Sequence, residues 1–493
     1  MRYEIDLSGV ASREELHARI RRALPPCEYY GNNLDALNDA LTALAGETEI
    51  VFRGAEQMAP EFAPYLEKLK RFAAGIGAEA ENVKIAFLAA MPDRAGGEAD
   101  GKQERKERGP MQFRDLKAQY RALKDEMDQA ILNVAANCNF IMGQDVKDLE
   151  KELAEYTGSG HCVTCANGTD ALSIAMMVWG IGPGDAVFVP DFTFFSSAEI
   201  AAHAGATPIF CDVKEETFNL DPASLDEAVQ RVLAEGKLKP RVCVAVDLFG
   251  LPADLLEIRK ICDRYGLLLL EDAAQGFGGR IGDRIAGTFG IISTTSFFPA
   301  KPLGCYGDGG ALFMDDAELA NLADSIRVHG KGRMKYDNVR IGLNSRLDTM
   351  QAAVLRVKLK AFKAYELEAV NQVAALYDQA FAERFGQDGA LLKTPVVPAG
   401  FYSSWAQYTL RLTRPETRAA LQAFLKERGI PSMIYYPKTM QNQEAFAGIK
   451  ALQKPCPVAE KLTQCVLSVP MHPYLSAEDV REVVDAIASF YGI

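Results

Sequence analysis

A short charged stretch divides this chain and limits how much of it can share one hydrophobic core. Residues 91–110 read MPDRAGGEADGKQERKERGP, with no aromatic side chain, few apolar ones and dense charges of both signs. A segment of this composition cannot bury enough apolar surface to offset its ordering entropy. We therefore expect a flexible linker at 91–110, preceded by a small domain of residues 1–90 and followed by a larger folded region.

Strand and helix patterns alternate after the linker. Apolar runs typical of buried strands lie at 186–189, 207–213, 241–248 and 267–271, and helical patterns separate them. Continuous apolar strands connected through helices indicate a parallel sheet covered on both faces, and such sheets bind ligands beyond the carboxyl ends of their strands. The sequence predicts an α/β large domain at 111–364 and a smaller mixed α/β domain at 365–493.

Charge and hydropathy argue against several functional classes. The formal net charge of -12 disfavours a direct nucleic-acid ligand. No apolar run reaches the roughly 18 residues that span a bilayer, and the first residues lack the apolar core of a signal peptide. Ten scattered cysteines fit a reducing compartment, so we expect a cytoplasmic protein with no membrane or nucleic-acid partner. Cys162 and Cys165 form an isolated C-x-x-C pair, which is a weak indication of a metal or redox site, and we predict no metal.

Asp272 ends the apolar run LLLLED at 267–272. A carboxylate buried at a strand end is costly without a charged partner, and a protonated pyridinium nitrogen would be such a partner. A plain capping role at a strand-to-helix turn is the alternative.

Lys301 lies in the segment STTSFFPAKPLGCYGDGG at 293–310. Apolar surroundings would lower the pKa of its amine and favour the neutral nucleophile that forms a Schiff base. The hydroxyl groups before it and the glycines after it suit close approach to a phosphate. An ordinary surface lysine in a glycine-rich loop is the alternative.

Two further segments carry candidate ligand-binding residues. The sequence CANGTDAL at 165–172 opens an apolar helix, whose first N–H groups could bind a phosphate, although a simple Asn-Gly turn with Thr169 as the helix cap is equally consistent. Phe194, in PDFTFF after an apolar strand, could stack on a planar ring, whereas phenylalanine at this spacing is more often part of the core.

These segments occur in a characteristic order. GTDAL, P-x-x-T-F, EDAAQ, SFFPAK-x-LG and N-S-R-L-D, taken together, closely resemble the DegT/DnrJ/EryC1/StrS family of sugar aminotransferases, and the resemblance extends from about Met111 to the C-terminus. It implies the aspartate-aminotransferase fold (fold type I), pyridoxal 5'-phosphate as cofactor and a homodimer with shared active sites. Glutamate would donate the amino group and a nucleotide-linked keto sugar would accept it.

The resemblance also implies a role for each matching residue. Lys301 would carry the cofactor as a Schiff base and shuttle the proton, Asp272 would pair with the pyridinium nitrogen, and Gln275 would contact the ring hydroxyl. Phe194 would stack on the ring. The phosphate would be bound by Gly168, Thr169, Asp170 and Ser296, and by Asn344 from the neighbouring subunit.

The sugar itself is less well specified. The resemblance is strongest to enzymes that aminate UDP-linked 3-keto-N-acetylglucosaminuronate, and amination of a 4-keto nucleotide sugar is the alternative. Arg346 could bind a uronate carboxylate bidentately, or it could form a structural salt bridge with a nearby aspartate. Tyr436 lies in a segment near the sugar in the family. Relatives often have H-Y-P and L-H where this chain has Tyr435-Tyr436-Pro437 and Met440-Gln441, which puts the substrate in doubt.

The N-terminal region carries a second resemblance. Strand patterns at 3–7, 49–52 and 83–88 and a helix at 13–23 accompany the segment EYYGNNLDALND at 28–39, which closely resembles barstar, an inhibitor of a bacterial ribonuclease. The resemblance implies Tyr29, Asp35 and Asp39 as ribonuclease-binding residues. A docking or solubility module that retains only the barstar fold is the alternative. A protein whose main purpose is ribonuclease inhibition is the competing functional class.

Overall fold

The structure is a computed structural model that describes residues 2–7, 12–23, 48–53, 69, 83–88, 110–334, 336–386 and 389–493. The chain forms two compact units, Met1–Arg108 and Gly109–Ile493. The linker proposed at 91–110 lies almost entirely outside the described residues.

The described part of the first unit is a parallel sheet with one helix. Strands β1 (Arg2–Asp6), β2 (Thr48–Arg53) and β3 (Val83–Leu88) pair in that order, and helix α1 (Arg13–Ala23) follows β1. Ile50 and Phe52 are two residues apart and therefore point to one face of the sheet, where both are buried. The strands and the helix agree with the elements predicted from the sequence.

A seven-stranded sheet forms the centre of the second unit. Its strands, in chain order, are β4 (His161–Cys165), β5 (Asp185–Pro190), β6 (Thr207–Cys211), β7 (Lys239–Val246), β8 (Leu268–Asp272), β11 (Ile292–Ser296) and β12 (Gly310–Met314). Their spatial order is β4-β12-β11-β8-β7-β5-β6. The sheet is parallel except at β12, which runs antiparallel to both of its neighbours. The strands predicted from the apolar runs at 186–189, 207–213, 241–248 and 267–271 are all parallel, which confirms that prediction.

Helices cover both faces of the sheet. They are α3 (Gln144–Thr157), α4 (Gly168–Val178), α5 (Ser196–His203), α6 (Pro222–Glu235), α7 (Leu255–Tyr265), α8 (Ala317–Arg327) and α9 (Thr349–Ala361), and helix α2 (Leu116–Asn137) packs against α9. Along β5, Val187 and Val189 join the core that includes α4, α5 and α8, whereas Ala186 and Phe188 join the core formed with α6 and α7. Burial on both faces explains why the strand is apolar from Ala186 to Pro190.

The C-terminal part has its own core. Strands β13 (Leu392–Lys393), β15 (Tyr408–Leu412) and β16 (Val466–Val469) form an antiparallel sheet. Three helices pack against it: α10 (Leu367–Phe385), α11 (Arg418–Glu427) and α13 (Ala477–Tyr491). The remaining elements are helix α12 (Pro457–Cys465) and a small antiparallel sheet of β9 (Arg280–Ile281), β10 (Arg284–Ile285) and β14 (Phe401–Tyr402). None of the helices in the described part of the chain has the length and apolar character of a membrane-spanning segment.

Candidate active site

The carboxyl ends of several strands meet at one edge of the large sheet. Gly310 pairs with both Ser296, the last residue of β11, and Cys165, the last residue of β4, while β8 ends nearby at Asp272. Helix α4 begins three residues after β4, at Gly168. The chain therefore brings the ends of three strands and the start of one helix together, as expected for a ligand site in an α/β sheet.

Asp272 is a buried carboxyl at this edge. Its Oδ2 accepts a hydrogen bond of 2.8 Å from Ser197 Oγ, and its Oδ1 accepts one of 3.2 Å from the N–H of Ala274. Burial raises the pKa of Asp272, while these two donors and the charge of Lys301 lower it. Within the described residues Asp272 forms no ion pair at 4.0 Å or less, so its carboxylate could compensate a buried cation.

Lys301 lies in the loop that joins β11 to β12. Burial lowers the pKa of its amine, the charge of Asp272 raises it, and the charge of Arg114 lowers it further. A lowered pKa increases the fraction of neutral amine, which is the form that attacks a carbonyl carbon.

The start of α4 packs tightly against the end of β11. Asn167 caps the helix by accepting a 2.8 Å hydrogen bond from the N–H of Asp170, so the alternative with Thr169 as cap was wrong. A Cβ placed on Gly168 would lie 2.6 Å from Ser296 Cβ, and Thr169 Oγ1 lies 2.8 Å from Ser196 Oγ. No helical carbonyl precedes the N–H groups of Gly168 and Thr169, so these two can bind an anion there.

Aromatic and amide side chains form a wall beside Asp272. Phe194 is 52% exposed, and its ring centroid lies 6.3 Å from that of Tyr436. Gln275 donates a 3.0 Å hydrogen bond from Nε2 to Tyr436 OH, and its Oε1 accepts one of 2.7 Å from the N–H of Phe249. The exposed Phe194 ring has the freedom to stack on a planar ligand.

Asn344 and Arg346 are not joined to this cluster. Arg346 donates a 2.6 Å hydrogen bond from Nη2 to Asn344 Oδ1, and Arg346 lines a surface cavity together with His329, Asn338 and Arg340. Within the described residues neither side chain hydrogen-bonds to Lys301 or Asp272. Arg346 also forms no ion pair with a described carboxylate, so the structural alternative of an aspartate salt bridge was wrong there.

Gln441 has a structural partner. The chain replaces a family histidine at this position, which we associated with the sugar. Gln441 is buried, and it donates hydrogen bonds to both carboxylate oxygens of Asp191, at 2.8 Å from its N–H and 2.6 Å from Nε2. The segment that carries Tyr436 is thereby attached to the residue just after β5.

Two further expectations concern the ribonuclease-binding residues and the C-x-x-C pair. Tyr29, Asp35 and Asp39 lie outside the described residues. Cys162 and Cys165 lie on β4, and burial raises the pKa of both thiols. In the described part of the chain no cluster of metal-binding side chains occurs.

Sequence reasoning missed two contributors. Ser197, on α5, hydrogen-bonds to Asp272 across 75 positions of the chain, and Arg114 hydrogen-bonds to the carbonyl of Lys301 across 187 positions. Ser197 directly follows the PDFTFFS segment and could have been included with it. Arg114 has no local sequence signal, because its contact depends on the tertiary fold.

The residues at this edge fit pyridoxal 5'-phosphate. The buried Asp272 carboxylate suits a protonated pyridine nitrogen, Lys301 suits the aldehyde carbon, and the first turn of α4 suits the phosphate. Gly168 provides the close approach between α4 and β11, since a Cβ would collide with Ser296. The fold and this set of residues define a fold type I, pyridoxal-phosphate-dependent aminotransferase.

Comparison with known proteins gives the family. The sequence model of the DegT/DnrJ/EryC1/StrS aminotransferase family matches residues 121–488, and the chain belongs to this family. A crystal structure of a DegT DnrJ EryC1 StrS aminotransferase from Brucella abortus superimposes with a TM-score of 0.74 at 46% identity, covering 78% of this chain and 100% of that one.

Two relatives carry specific names. UDP-2-acetamido-2-deoxy-3-oxo-D-glucuronate aminotransferase of Pseudomonas aeruginosa is 39% identical over 379 residues, which are 77% of this chain and 100% of the relative. UDP-N-acetyl-3-dehydro-alpha-D-glucosamine 3-aminotransferase of Acidithiobacillus ferrooxidans is 37% identical over 373 residues, which are 76% of this chain and 96% of the relative. Separately, the model of the barstar (barnase inhibitor) family matches residues 1–89.

Proposed function

We propose that this enzyme transfers an amino group from glutamate to carbon 3 of a UDP-linked 3-keto-N-acetylglucosaminuronate. The observation that carries the proposal is the 39% identity to an aminotransferase named for that keto sugar, over the whole length of the relative. The second relative is also named for a UDP-linked 3-keto sugar. Amination of a 4-keto nucleotide sugar is the alternative within the same class.

The chain's own residues have distinct tasks in this proposal. Bound pyridoxal phosphate supplies an electron sink for the substrate carbon. Lys301 acts as the nucleophile that holds the cofactor and as the base that moves the proton at the substrate carbon. Asp272 keeps the ring nitrogen protonated, and its orientation is fixed by Ser197. Gln275 contacts the ring hydroxyl and Phe194 stacks on the ring face.

The phosphate and the sugar engage further groups. We propose that Gly168, Thr169, Asp170 and Ser296 bind the phosphate from α4 and β11. Asn344 would reach the phosphate of a neighbouring site in a homodimer, which agrees with its exposed position and with its hydrogen bond to Arg346 outside the Lys301 cluster. Arg346 has no carboxylate partner among the described residues and would bind the uronate carboxylate. Tyr436 would contact the sugar.

A visible absorption experiment tests the reaction and the donor. Glutamate should bleach the absorption band of the bound cofactor and release 2-oxoglutarate, and Lys301→Ala should abolish the normal band. Subsequent addition of the 3-keto uronate should restore the band, and a 4-keto nucleotide sugar should not. Restoration by the 4-keto sugar alone would overturn the substrate assignment, and a protein that never acquires the band would overturn the aminotransferase function.

We propose a cytoplasmic location because the cysteines of the described residues are free. Nine cysteines in the described residues are free, which agrees with the cytoplasm, where thiols remain reduced.

The barstar match supports a separate binding function for residues 1–89. We propose that this unit binds a ribonuclease of the barnase type through Tyr29, Asp35 and Asp39. Titration of the full-length protein with barnase by calorimetry tests it, with Asp39→Ala as the variant. Binding that is weaker in the variant supports the proposal. Absence of binding, or equal binding by the variant, would mean that residues 1–89 retain the barstar fold without the ribonuclease-binding function.

A further inference from the structure

A half-buried cation contacts the main chain of the proposed Schiff-base lysine. Arg114 lies just before α2, and its Nη2 donates hydrogen bonds to the carbonyl of Lys301 at 2.9 Å and, more weakly, to that of Pro302 at 3.4 Å. The side chain of Arg114 is half-buried and forms no ion pair with a described residue. Hydrogen bonds from a charged donor are stronger than those between neutral groups, so this contact restrains the loop at Lys301.

A second cation holds the same loop three residues later. Lys358, on α9, is 1% exposed, and its Nζ donates a 2.7 Å hydrogen bond to the carbonyl of Gly304. The same Nζ lies 4.5 Å from the centroid of the Tyr306 ring, which favours a cation. The segment 301–304 is therefore restrained through its carbonyl groups from two sides. We call Arg114 and Lys358 the carbonyl clamp.

The anion that faces the clamp is Glu366. It is 3% exposed and accepts hydrogen bonds from Gln119 Nε2 at 2.9 Å and from Tyr474 OH at 2.6 Å. Its charge favours the protonated forms of both Arg114 and Lys358, but it forms an ion pair with neither at 4.0 Å or less. The carboxylate is thus fixed by neutral donors, and the two cations remain available to the carbonyl groups.

The charges around the clamp act on the reactive amine. Burial lowers the pKa of Arg114 to about 10 and that of Lys358 to about 8. Arg114 lowers the pKa of Lys301, Asp272 raises it, and Lys358 has no resolved effect on it. The other titratable groups that face Arg114 are Tyr474 and the buried His472.

From this geometry we propose that Arg114 is a positioning residue for Lys301, with Lys358 as the second half of the clamp. Arg114 fixes the main chain from which the lysine side chain extends, and its positive charge favours the neutral amine. Lys358 fixes the position of the loop but does not change the pKa of Lys301. This inference rests on the proposed role of Lys301, which Lys301→Ala tests separately.

The test compares four variants of the full-length, cofactor-loaded protein. Arg114→Met removes the charge and the hydrogen bonds, Arg114→Lys keeps the charge, and Lys358→Met removes the second contact. Arg121→Met is the matched control, because Arg121 lies on the adjoining helix α2, is 68% exposed and, among the described residues, forms an ion pair only with Asp115, at 3.9 Å. The readouts are the pH titration of the cofactor's visible absorbance, kcat with glutamate, and the thermal midpoint of the cofactor-free protein.

The visible absorbance of the loaded protein reports protonation of the lysine nitrogen in its Schiff base with the cofactor, and removing a nearby positive charge raises the pKa of that nitrogen. In Arg114→Met we expect the absorbance midpoint to move upward by roughly 0.5 to 1 pH unit, and kcat to fall roughly 10- to 100-fold because the lysine is misplaced. In Arg114→Lys the absorbance midpoint should lie close to that of the native protein. Lys358→Met should lower kcat without moving the midpoint, and Arg121→Met should change neither.

Two results would overturn the inference. One is an unchanged midpoint in Arg114→Met, and the other is an equal shift in Arg114→Met and Arg121→Met. The thermal midpoint of the cofactor-free protein separates a folding defect from a positioning effect, and Arg114→Lys provides a folded comparison if Arg114→Met is unstable. If Lys301→Ala still forms the normal band, the assignment of Lys301 fails rather than the clamp.

Discussion

Ser197 Oγ donates a 2.8 Å hydrogen bond to Asp272 Oδ2, and both side chains are buried. The donor lies at the start of α5 and the acceptor at the end of β8, so the bond fixes the carboxylate relative to the strand end that carries it. A hydrogen bond to a charged group contributes roughly 1.5 to 3 kcal/mol. Ser197 orients the carboxylate of Asp272, whereas the negative charge belongs to Asp272 itself, so separate substitutions can test the two.

Asp272→Asn tests the charge of that pair, because it keeps the size of the side chain and an oxygen to accept from Ser197. Without a negative charge the ring nitrogen of the cofactor loses its buried partner, and we expect kcat to fall by at least roughly 100-fold. Ser197→Ala removes only the orienting bond and should cost about tenfold or less. Steady-state kinetics measure both. An Asp272→Asn enzyme that retains half of its activity would contradict the role of Asp272.

Gly168→Ala should weaken cofactor binding. The new Cβ would lie 2.6 Å from Ser296 Cβ, so the first turn of α4 has to shift away from β11. Because that turn is proposed to bind the phosphate, we expect the dissociation constant for pyridoxal phosphate to rise at least roughly tenfold. Gly182→Ala is the control, since its Cβ would meet only the carbonyl oxygen of Ala204, at 3.8 Å. Equal cofactor affinity in the two variants would contradict the phosphate site.

Tyr436→Phe should affect the sugar half-reaction. The change leaves Gln275 Nε2 without its 3.0 Å acceptor and removes a hydroxyl from the wall beside Phe194. We expect a KM for the keto sugar raised roughly 5- to 20-fold and little change in bleaching by glutamate. Tyr435→Phe, which keeps the hydroxyl of Tyr436, provides the comparison. A larger effect on the glutamate half-reaction would place Tyr436 at the donor instead.

His472 should make the protein less stable in acid. It is 4% exposed, and its Nδ1 accepts a 3.3 Å hydrogen bond from the N–H of Tyr474. Burial, assisted by the charge of Arg114, lowers its pKa to about 4 from 6.5. Since the unfolded chain protonates first, the stabilisation is complete above pH ~6.5 and falls by about 2 kcal/mol on reaching pH ~5.

His472→Gln should therefore show a smaller decrease in thermal midpoint between pH 7 and pH 5 than the native chain. His203→Gln, at an exposed histidine on α5, should keep the native decrease. Differential scanning fluorimetry at the two pH values measures both variants. The same decrease in His472→Gln as in the native chain would show that this group does not contribute.

Local patterns were sufficient for much of the fold. The helix predicted at 13–23 and the strand predicted at 83–88 have those bounds in the structure. Asp272 lies at the end of a buried strand, as the apolar run before it indicates. These features depend on periodicity and on burial of neighbouring residues, which a sequence records directly.

The segment before Lys301 was interpreted less well. Ser293, Thr294 and Thr295 were considered as groups near a phosphate, yet they lie in β11 and their hydroxyls hydrogen-bond to Glu271 and to backbone carbonyls. Ser296 is the residue of β11 that meets Gly168 at the start of α4. A row of hydroxyls does not distinguish a polar strand from a phosphate loop, because both conformations can satisfy the same donors.

The glycines after Lys301 have a related explanation. A Cβ on Gly310 would lie 2.5 Å from the carbonyl oxygen of Asn167, so this glycine allows β12 to approach the start of α4. The antiparallel direction of β12 was not predicted, because strand direction depends on which neighbours the chain meets. The contacts of Arg114 and Ser197 likewise depend on long-range packing, and for Arg114 no local sequence signal indicates the contact.

The pairing of Ser296 with Gly310 has a consequence for how such an enzyme can diversify. Lys301 lies on a loop whose two ends are fixed by this pairing, and the loop is also restrained through the carbonyl groups of Lys301 and Gly304. An insertion next to the lysine would break these contacts or displace the lysine. The segment around Tyr436 is attached near its two ends, by the antiparallel bridge of Met433 with Ser468 and by the contacts of Met440 and Gln441 with Asp191. New acceptor specificities are therefore more accessible by remodelling residues 434–439, between these points, than by lengthening the lysine loop.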